Sequence, residues 1–178
     1  LWMRYPSISP DGKTIVFCYK GDIYRVNSAG GNAVPLTLSD AYDFKPIWSP
    51  DSKWLAFASD RNGGFDIYVV PAEGGEAKRL TYFSTDDIPS YFTEDGKNVV
   101  FLSIRTDNVK YVQFPSGRLP ELYTVSVNGG RETQLLSICA DEATINKSGD
   151  KMLFHDRKGY ENDWRKHHTS SVTRDVWM

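Results

Sequence analysis

One short phrase recurs four times along the chain, and it leaves few folds open. Ser9-Pro10-Asp11-Gly12-Lys13 precedes the apolar run Ile15-Val16-Phe17. Ser49-Pro50-Asp51-Ser52-Lys53 precedes Leu55-Ala56-Phe57, and Thr93-Glu94-Asp95-Gly96-Lys97 precedes Val99-Val100-Phe101. The last copy, Asn146-Lys147-Ser148-Gly149-Asp150, precedes Met152-Leu153-Phe154. Each is followed by an acidic, an aliphatic and an aromatic residue: Asp22-Ile23-Tyr24, Asp66-Ile67-Tyr68, Glu121-Leu122-Tyr123 and Asp175-Val176-Trp177. The first three copies then run into a double glycine, at Gly30-Gly31, Gly74-Gly75 and Gly129-Gly130. Copies begin 40, 44 and 53 residues apart. Short strands and turns at such a period specify a radial array of small sheets.

Each copy reads as four strands. The first ends at Ile8, Trp48, Phe92 or Ile145, and the second is the run closing on phenylalanine. The third carries the aromatic, and the fourth follows the glycines to Pro35-Leu36-Thr37, Arg79-Leu80-Thr81 or Gln134-Leu135-Leu136. Branched and aromatic residues favour the pleated sheet, and Asp-Gly or Gly-Gly supplies the positive φ of tight hairpins. No segment sustains a 3.6-residue period, so the chain is expected to be all-β. A lone four-stranded sheet leaves both faces half dry, whereas packing sheets around an axis covers them. The expected architecture is a β-propeller of four-stranded antiparallel blades over about 1–38, 39–82, 83–137 and 138–178. The last copy lacks a glycine turn and a fourth strand. With about three and a half blades, the chain is expected to be an incomplete propeller, a piece of a longer protein beginning at Leu1 rather than Met.

Loop lengths separate the two rims. The aromatic of strand three stands six residues before the first glycine in all three complete copies. The connection from strand two to strand three instead grows: Phe17 to Tyr24 is 7 residues, Phe57 to Tyr68 is 11, Phe101 to Tyr123 is 22 and Phe154 to Trp177 is 23. In an up-and-down sheet this connection emerges on the rim that also carries the links between blades. Insertions therefore gather on one face, where such scaffolds place function, although long loops also simply tolerate insertion.

Bulk properties remove some partners. The net charge of −2 and the lack of clustered positive charge argue against a nucleic-acid interface. No stretch approaches the ~20 apolar residues of a membrane span. Cys18 lies in an alternating strand and reads as a buried apolar thiol; Cys139 lies in a distant connection, and two cysteines are poor evidence for a disulfide.

The succession Ser-Pro-Asp-Gly-Lys, Asp-Ile-Tyr, Gly-Gly, Leu-Thr resembles the TolB-type, WD-like propeller repeat, which also builds the N-terminal propellers of tricorn-type serine peptidases. Leu1-Trp2-Met3-Arg4-Tyr5-Pro6 looks like the start of the mature region in a bacterial, Bacteroidetes-like branch of those peptidases. Phe114-Pro115-Ser116-Gly117-Arg118-Leu119-Pro120-Glu121 resembles its third-blade insertion. His155 to Asn162, Trp164 to Ser171 and Arg174-Asp175 resemble its fourth. The resemblance spans essentially the whole chain. It implies a periplasmic or otherwise exported parent in which further blades, a PDZ-like module and a peptidase domain related to C-terminal-processing proteases follow. The catalytic serine would lie there, so no catalytic, cofactor-binding or metal-binding residue is expected here. The departures are local: Asp51-Ser52 replaces Asp-Gly, and the fourth turn is Asn-Lys-Ser-Gly-Asp.

Several constellations invite chemistry. His167-His168-Thr169-Ser170-Ser171 with Asp175 holds every residue type of a nucleophilic triad, but triads meet in space rather than in a run, and no G-x-S-x-G elbow is present. Trp164, Arg165, His167 and His168 are instead expected in a loop that contacts neighbouring parts of the protein. Asp60-Arg61-Asn62-Gly63-Gly64-Phe65-Asp66 alternates like a calcium loop but lacks the twelve-residue length and terminal glutamate of an EF-hand. Arg4, Asp43, Asp87, Asp141 and Glu142 open the first strands, near the expected channel mouth. An acidic ring there would attract the amino terminus or basic residues of a peptide; ordinary loop solvation is the competing reading. The function expected is non-catalytic gating or docking of a peptide or unfolded protein for a peptidase domain. The alternatives are a TolB-like periplasmic scaffold and a prolyl-oligopeptidase-type propeller, the latter without a place for the fourth-blade insertion. Open blade faces are expected to make the isolated chain self-associate.

Overall fold

Each copy of the recurring phrase forms the first hairpin of an antiparallel sheet in the computed structural model, which describes residues 2–105, 120–136, 138–156 and 175–178. The first blade is β1 (Arg4–Ile8), β2 (Thr14–Tyr19), β3 (Asp22–Asn27) and β4 (Val34–Pro35), hydrogen-bonded in that order. The second is β5 (Asp43–Trp48), β6 (Trp54–Asn62), β7 (Gly64–Pro71) and β8 (Lys78–Arg79). The third is β9 (Ile88–Phe92), β10 (Asn98–Ser103), β11 (Glu121–Ser126) and β12 (Thr133–Gln134). The fourth shows β13 (Ala140–Ile145), β14 (Met152–Asp156) and β15 (Asp175–Trp177). The described residues contain no helix. The architecture is a β-propeller of three and a half blades.

The turn chemistry explains the repetition. Ser9 Oγ donates to Asp11 Oδ1 at 2.6 Å, and the same carboxylate accepts from Lys13 N at 3.1 Å. Ser9 Oγ in turn accepts from Thr14 N, closing the hairpin onto its own side chains. Ser49 with Asp51 and Thr93 with Asp95 repeat the arrangement. In the fourth turn the carboxamide of Asn146 takes over, accepting from Asp150 N and Lys151 N and donating to Asp150 Oδ1.

Alternation within each strand sends side chains to opposite neighbours. Val16, Cys18, Ile23 and Leu36 of blade one pack against Leu55, Phe57, Tyr68 and Val70 of blade two. Ala56, Ile67, Val69 and Leu80 leave the other face of blade two and meet Phe92, Val99, Phe101, Tyr123 and Val125 of blade three. A third cluster joins Val100, Leu102 and Leu122 to Ala140 and Ala143 of blade four. Phe17–Tyr24, Phe57–Tyr68 and Phe101–Tyr123 stack as cross-strand pairs, each with centroids 5.9 Å apart. Burying a phenylalanine contributes roughly 1.5–3 kcal/mol, so these layers carry much of the fold.

First strands of successive blades lie against one another and line the inner side. Each carries one extra residue relative to its partner, a β-bulge. Counting four residues back from the turn, the bulge position holds Tyr5, Lys45 and Glu142, with φ of 51°, 52° and 47°. In blade three that position is Pro89, whose ring excludes positive φ; there the extra residue is Ser90, between Pro89 and Tyr91.

Candidate functional site

The links between blades and the connections from strand two to strand three share one rim, tied by backbone hydrogen bonds. Asp43 N donates to Gly21 O, Asp87 N to Phe65 O and Ala140 N to Pro120 O. Each bond joins the start of an inner strand to the preceding blade. Side chains add to the lashing: Asp60 Oδ1 accepts from Tyr42 N at 2.7 Å, and Asp86 Oδ1 from Phe65 N at 3.1 Å.

Asp43 and Asp87 occupy equivalent positions six residues before the turns, and both carboxylates are buried beside an arginine. Arg61 Nη2 donates to Asp43 Oδ2 at 2.7 Å, with its guanidinium 5.5 and 5.1 Å from the Phe57 and Tyr68 ring centroids. Arg105 grips Asp87 through Nε and Nη2, and its Nη1 reaches Glu132 Oε1 at 3.3 Å. The Arg105 guanidinium lies over Phe83, Phe101 and Tyr123. Burial pushes the Asp87 carboxyl above the usual carboxylate value, against the opposing pull of Arg105. The two clasps differ in completeness. In blade three Ser103 Oγ also accepts from Arg105 Nε, whereas Asp43 Oδ1, Arg61 Nε and Ser59 Oγ make no hydrogen bond among the described residues. Blade one has Met3 and Gly21 at the corresponding positions, and so no clasp.

A cleft of about 570 Å³ opens on this rim across blades two to four. Phe44, Phe65, Ile88, Leu102 and Ile104 supply its apolar lining. Lys45, Asp86, Asp141 and Glu142 supply its charge. Lys45 Nζ lies 3.6 Å from Glu142 Oε1, so the bulge residues of blades two and four meet across the bulge of blade three. Positive φ redirects each side chain off the regular pleat, which is how a bulge re-aims a residue. Beside the cleft, Phe44 lies 4.9 Å from Phe65, 5.6 Å from Tyr5 and 5.7 Å from Tyr42 between centroids.

The residues expected at the channel mouth thus divide. Asp141 and Glu142 line the cleft. Asp43 and Asp87 are buried in ion pairs, and Arg4 stands over the Trp2 ring at 5.4 Å. Trp164, Arg165, His167 and His168 lie outside the described residues, as does the third-blade insertion up to Leu119. The Asp60–Asp66 segment is a hairpin whose carboxylates serve different partners, Asp60 the Tyr42 amide and Asp66 the guanidinium of Arg79. Cys18 is buried, which pushes its thiol up to about 11. In the sequence Arg61 stands out only within the Asp60–Asp66 run, and Arg105 not at all. Their signal is an arginine four residues after the strand-two phenylalanine in the two copies that also carry aspartate six before the turn.

Comparison with known proteins places the chain. Residues 1–178 match the family described as the tricorn protease N-terminal beta propeller domain. An uncharacterized protein of Agrobacterium fabrum is 35% identical over 63 residues, 33% of this chain and 22% of that protein. Among solved structures, a candidate TolB from Agrobacterium tumefaciens superposes with a TM-score of 0.77 at 20% identity, over 99% of this chain and 57% of its own. TolB from Acinetobacter baumannii gives 0.72 at 22% identity, over 98% and 40%. The tricorn protease gives 0.71 at 21% identity, over 98% of this chain and 17% of its own. The chain therefore spans well under two thirds of each of these relatives.

Proposed function

Because the chain belongs to the tricorn protease N-terminal β-propeller family, we propose that it is the non-catalytic, substrate-handling propeller of a larger, exported serine peptidase. Its partners are the remaining blades and peptidase domain of that parent, and its ligand is an extended peptide or unfolded protein. The observation that carries this reading is the charged, aromatic-lined cleft on the rim where inner strands begin and the longest connections emerge. A blade array locked by bulges and buried ion pairs is a stiff frame. Stiffness lets such a mouth admit an extended chain and exclude a folded one without paying for loop ordering on each encounter.

The test is cleavage of one substrate in folded and unfolded form, by the parent enzyme with and without its propeller. The propeller is expected to slow cleavage of the folded form selectively; equal selectivity in both enzymes removes the sieve. A second reading, a TolB-like periplasmic protein-binding scaffold with no enzyme attached, is supported by the propeller fold shared with the TolB structures. Reading the parent frame beyond Met178 separates the two. A peptidase region supports the first, and a frame ending after a few more blades supports the second.

A further inference from the structure

We propose that the rim cleft is an arginine subsite, taking the side chain of an arginine from an extended peptide; this rests on the peptide-docking reading above. The described lining residues carry three carboxylates, Asp86, Asp141 and Glu142, against one ammonium, Lys45, a balance that favours a cation. Apolar lining side by side with charged groups suits a side chain with an aliphatic stem and a charged tip. Phe44 and Phe65 add aromatic faces, which select a planar, weakly hydrated guanidinium over a compact ammonium.

The molecule already makes this contact three times with its own arginines. Arg61 pairs with Asp43 over Phe57 and Tyr68, and Arg105 with Asp87 over Phe83 and Phe101. Arg79 pairs with Asp66 at 2.7 Å while lying 4.5 Å from the Tyr82 centroid. The cleft offers the same ingredients, carboxylates and aromatic rings, and among its described lining residues none is an arginine. Lys45 occupies the rim as an internal competitor, holding Glu142 at 3.6 Å with Glu142 largely exposed. An entering guanidinium displaces the Lys45 ammonium from Glu142 and gains a bidentate partner where lysine offers a point charge. Exposed pairs are screened, so the contact weakens as salt rises.

The experiment titrates an acetylated, amidated Gly-Ala-Arg-Ala-Gly peptide into the full chain at low ionic strength, followed by NMR shift changes. Analogues carry lysine or neutral citrulline in place of arginine. The arginine peptide is expected to bind about tenfold or more tightly than the citrulline peptide, as for loss of a charge-assisted hydrogen bond, and more tightly than the lysine peptide. Shifts should centre on Asp86, Asp141 and Glu142. Asp141→Asn with Glu142→Gln should lose most of the binding. Lys45→Asn, which tolerates positive φ, should tighten it severalfold, a gain that misfolding does not produce. Equal binding of arginine and citrulline peptides, or shifts confined to another surface, overturns the arginine subsite while leaving peptide docking standing. Binding of none of the three peptides, with an unfolded protein still bound elsewhere on the propeller, also overturns the subsite alone. Failure of every peptide and unfolded protein to bind overturns both.

Discussion

At the scale of single residues, most of the chain's character sits in the turn aspartates. Asp11, Asp51, Asp95 and Asp150 are held below the usual carboxylate value, first by the Ser or Thr hydroxyl of the same turn. A depressed folded-state pKa means the ionised form stabilises the fold above the unfolded-state value and loses that contribution as pH falls through the folded one. Thermal stability should therefore decline as pH is lowered below about 4. Asp51→Asn should flatten that decline relative to wild type in melting curves taken across the range. An unchanged acid limb in the variant would contradict the assignment. Burial pushes Asp66 and Asp87 the other way, so the difference between wild type and variant, rather than either curve alone, isolates the turn. Ser52 shows how far the turn tolerates change. It sits at φ 61° where its counterparts are glycines, and its Oγ accepts from Asp11 N of the preceding blade. The sequence exposes Ser52 as a departure from Asp-Gly, but the compensating hydrogen bond becomes visible only when two blades are side by side.

At the scale of the element, strands and hairpins were legible and their clasps were not. Periodic phenylalanines and Asp-Gly turns report local geometry, which neighbouring residues settle among themselves. The Asp–Arg clasp joins residues 18 apart, and its two ends look like ordinary loop charges until the strands pair. Asp87 is fully buried and Arg105 is 8% exposed, so removing one partner strands the other. Asp87→Ala is expected to cost about 3 kcal/mol in chemical denaturation, the range for breaking a buried pair. Asp43→Ala should cost less, because its arginine makes a single hydrogen bond to it and keeps more solvent. Equal losses at both sites would show that completeness of the clasp does not set its strength. The bulge follows the same pattern. The sequence shows Pro6, Pro46 and Pro89 near the inner strands, but not that Tyr5, Lys45 and Glu142 turn to positive φ while proline blocks it in blade three.

Across the whole molecule, the decisive contrast is between equivalent faces. Leu55, Phe57, Tyr68 and Val70 of blade two are buried against blade one. Their equivalents Ile15, Phe17, Tyr24 and Val26 are only half-buried, since they face away from blade two. On blade four, Val176 is 64% and Leu153 44% exposed. Such contiguous apolar faces associate. Light scattering of the isolated chain should give a mass that rises with concentration, and Phe17→Glu should lower it. A monomer mass at all concentrations would contradict this.

The sequence by itself determined the repeat, the strand order within each blade, the turn chemistry and the rim on which insertions gather. These follow from local periodicity and from the few residues that tolerate a tight turn. Only the tertiary structure decided which acidic residues are buried and which remain at the cleft. Asp43, Asp87, Asp141 and Glu142 look alike in a linear reading, because charge is a property of the residue while desolvation belongs to its surroundings. An arginine at or just past the far end of the second strand of the same blade pairs with each of the first two, and the bulges bring Glu142 to Lys45 across an intervening strand.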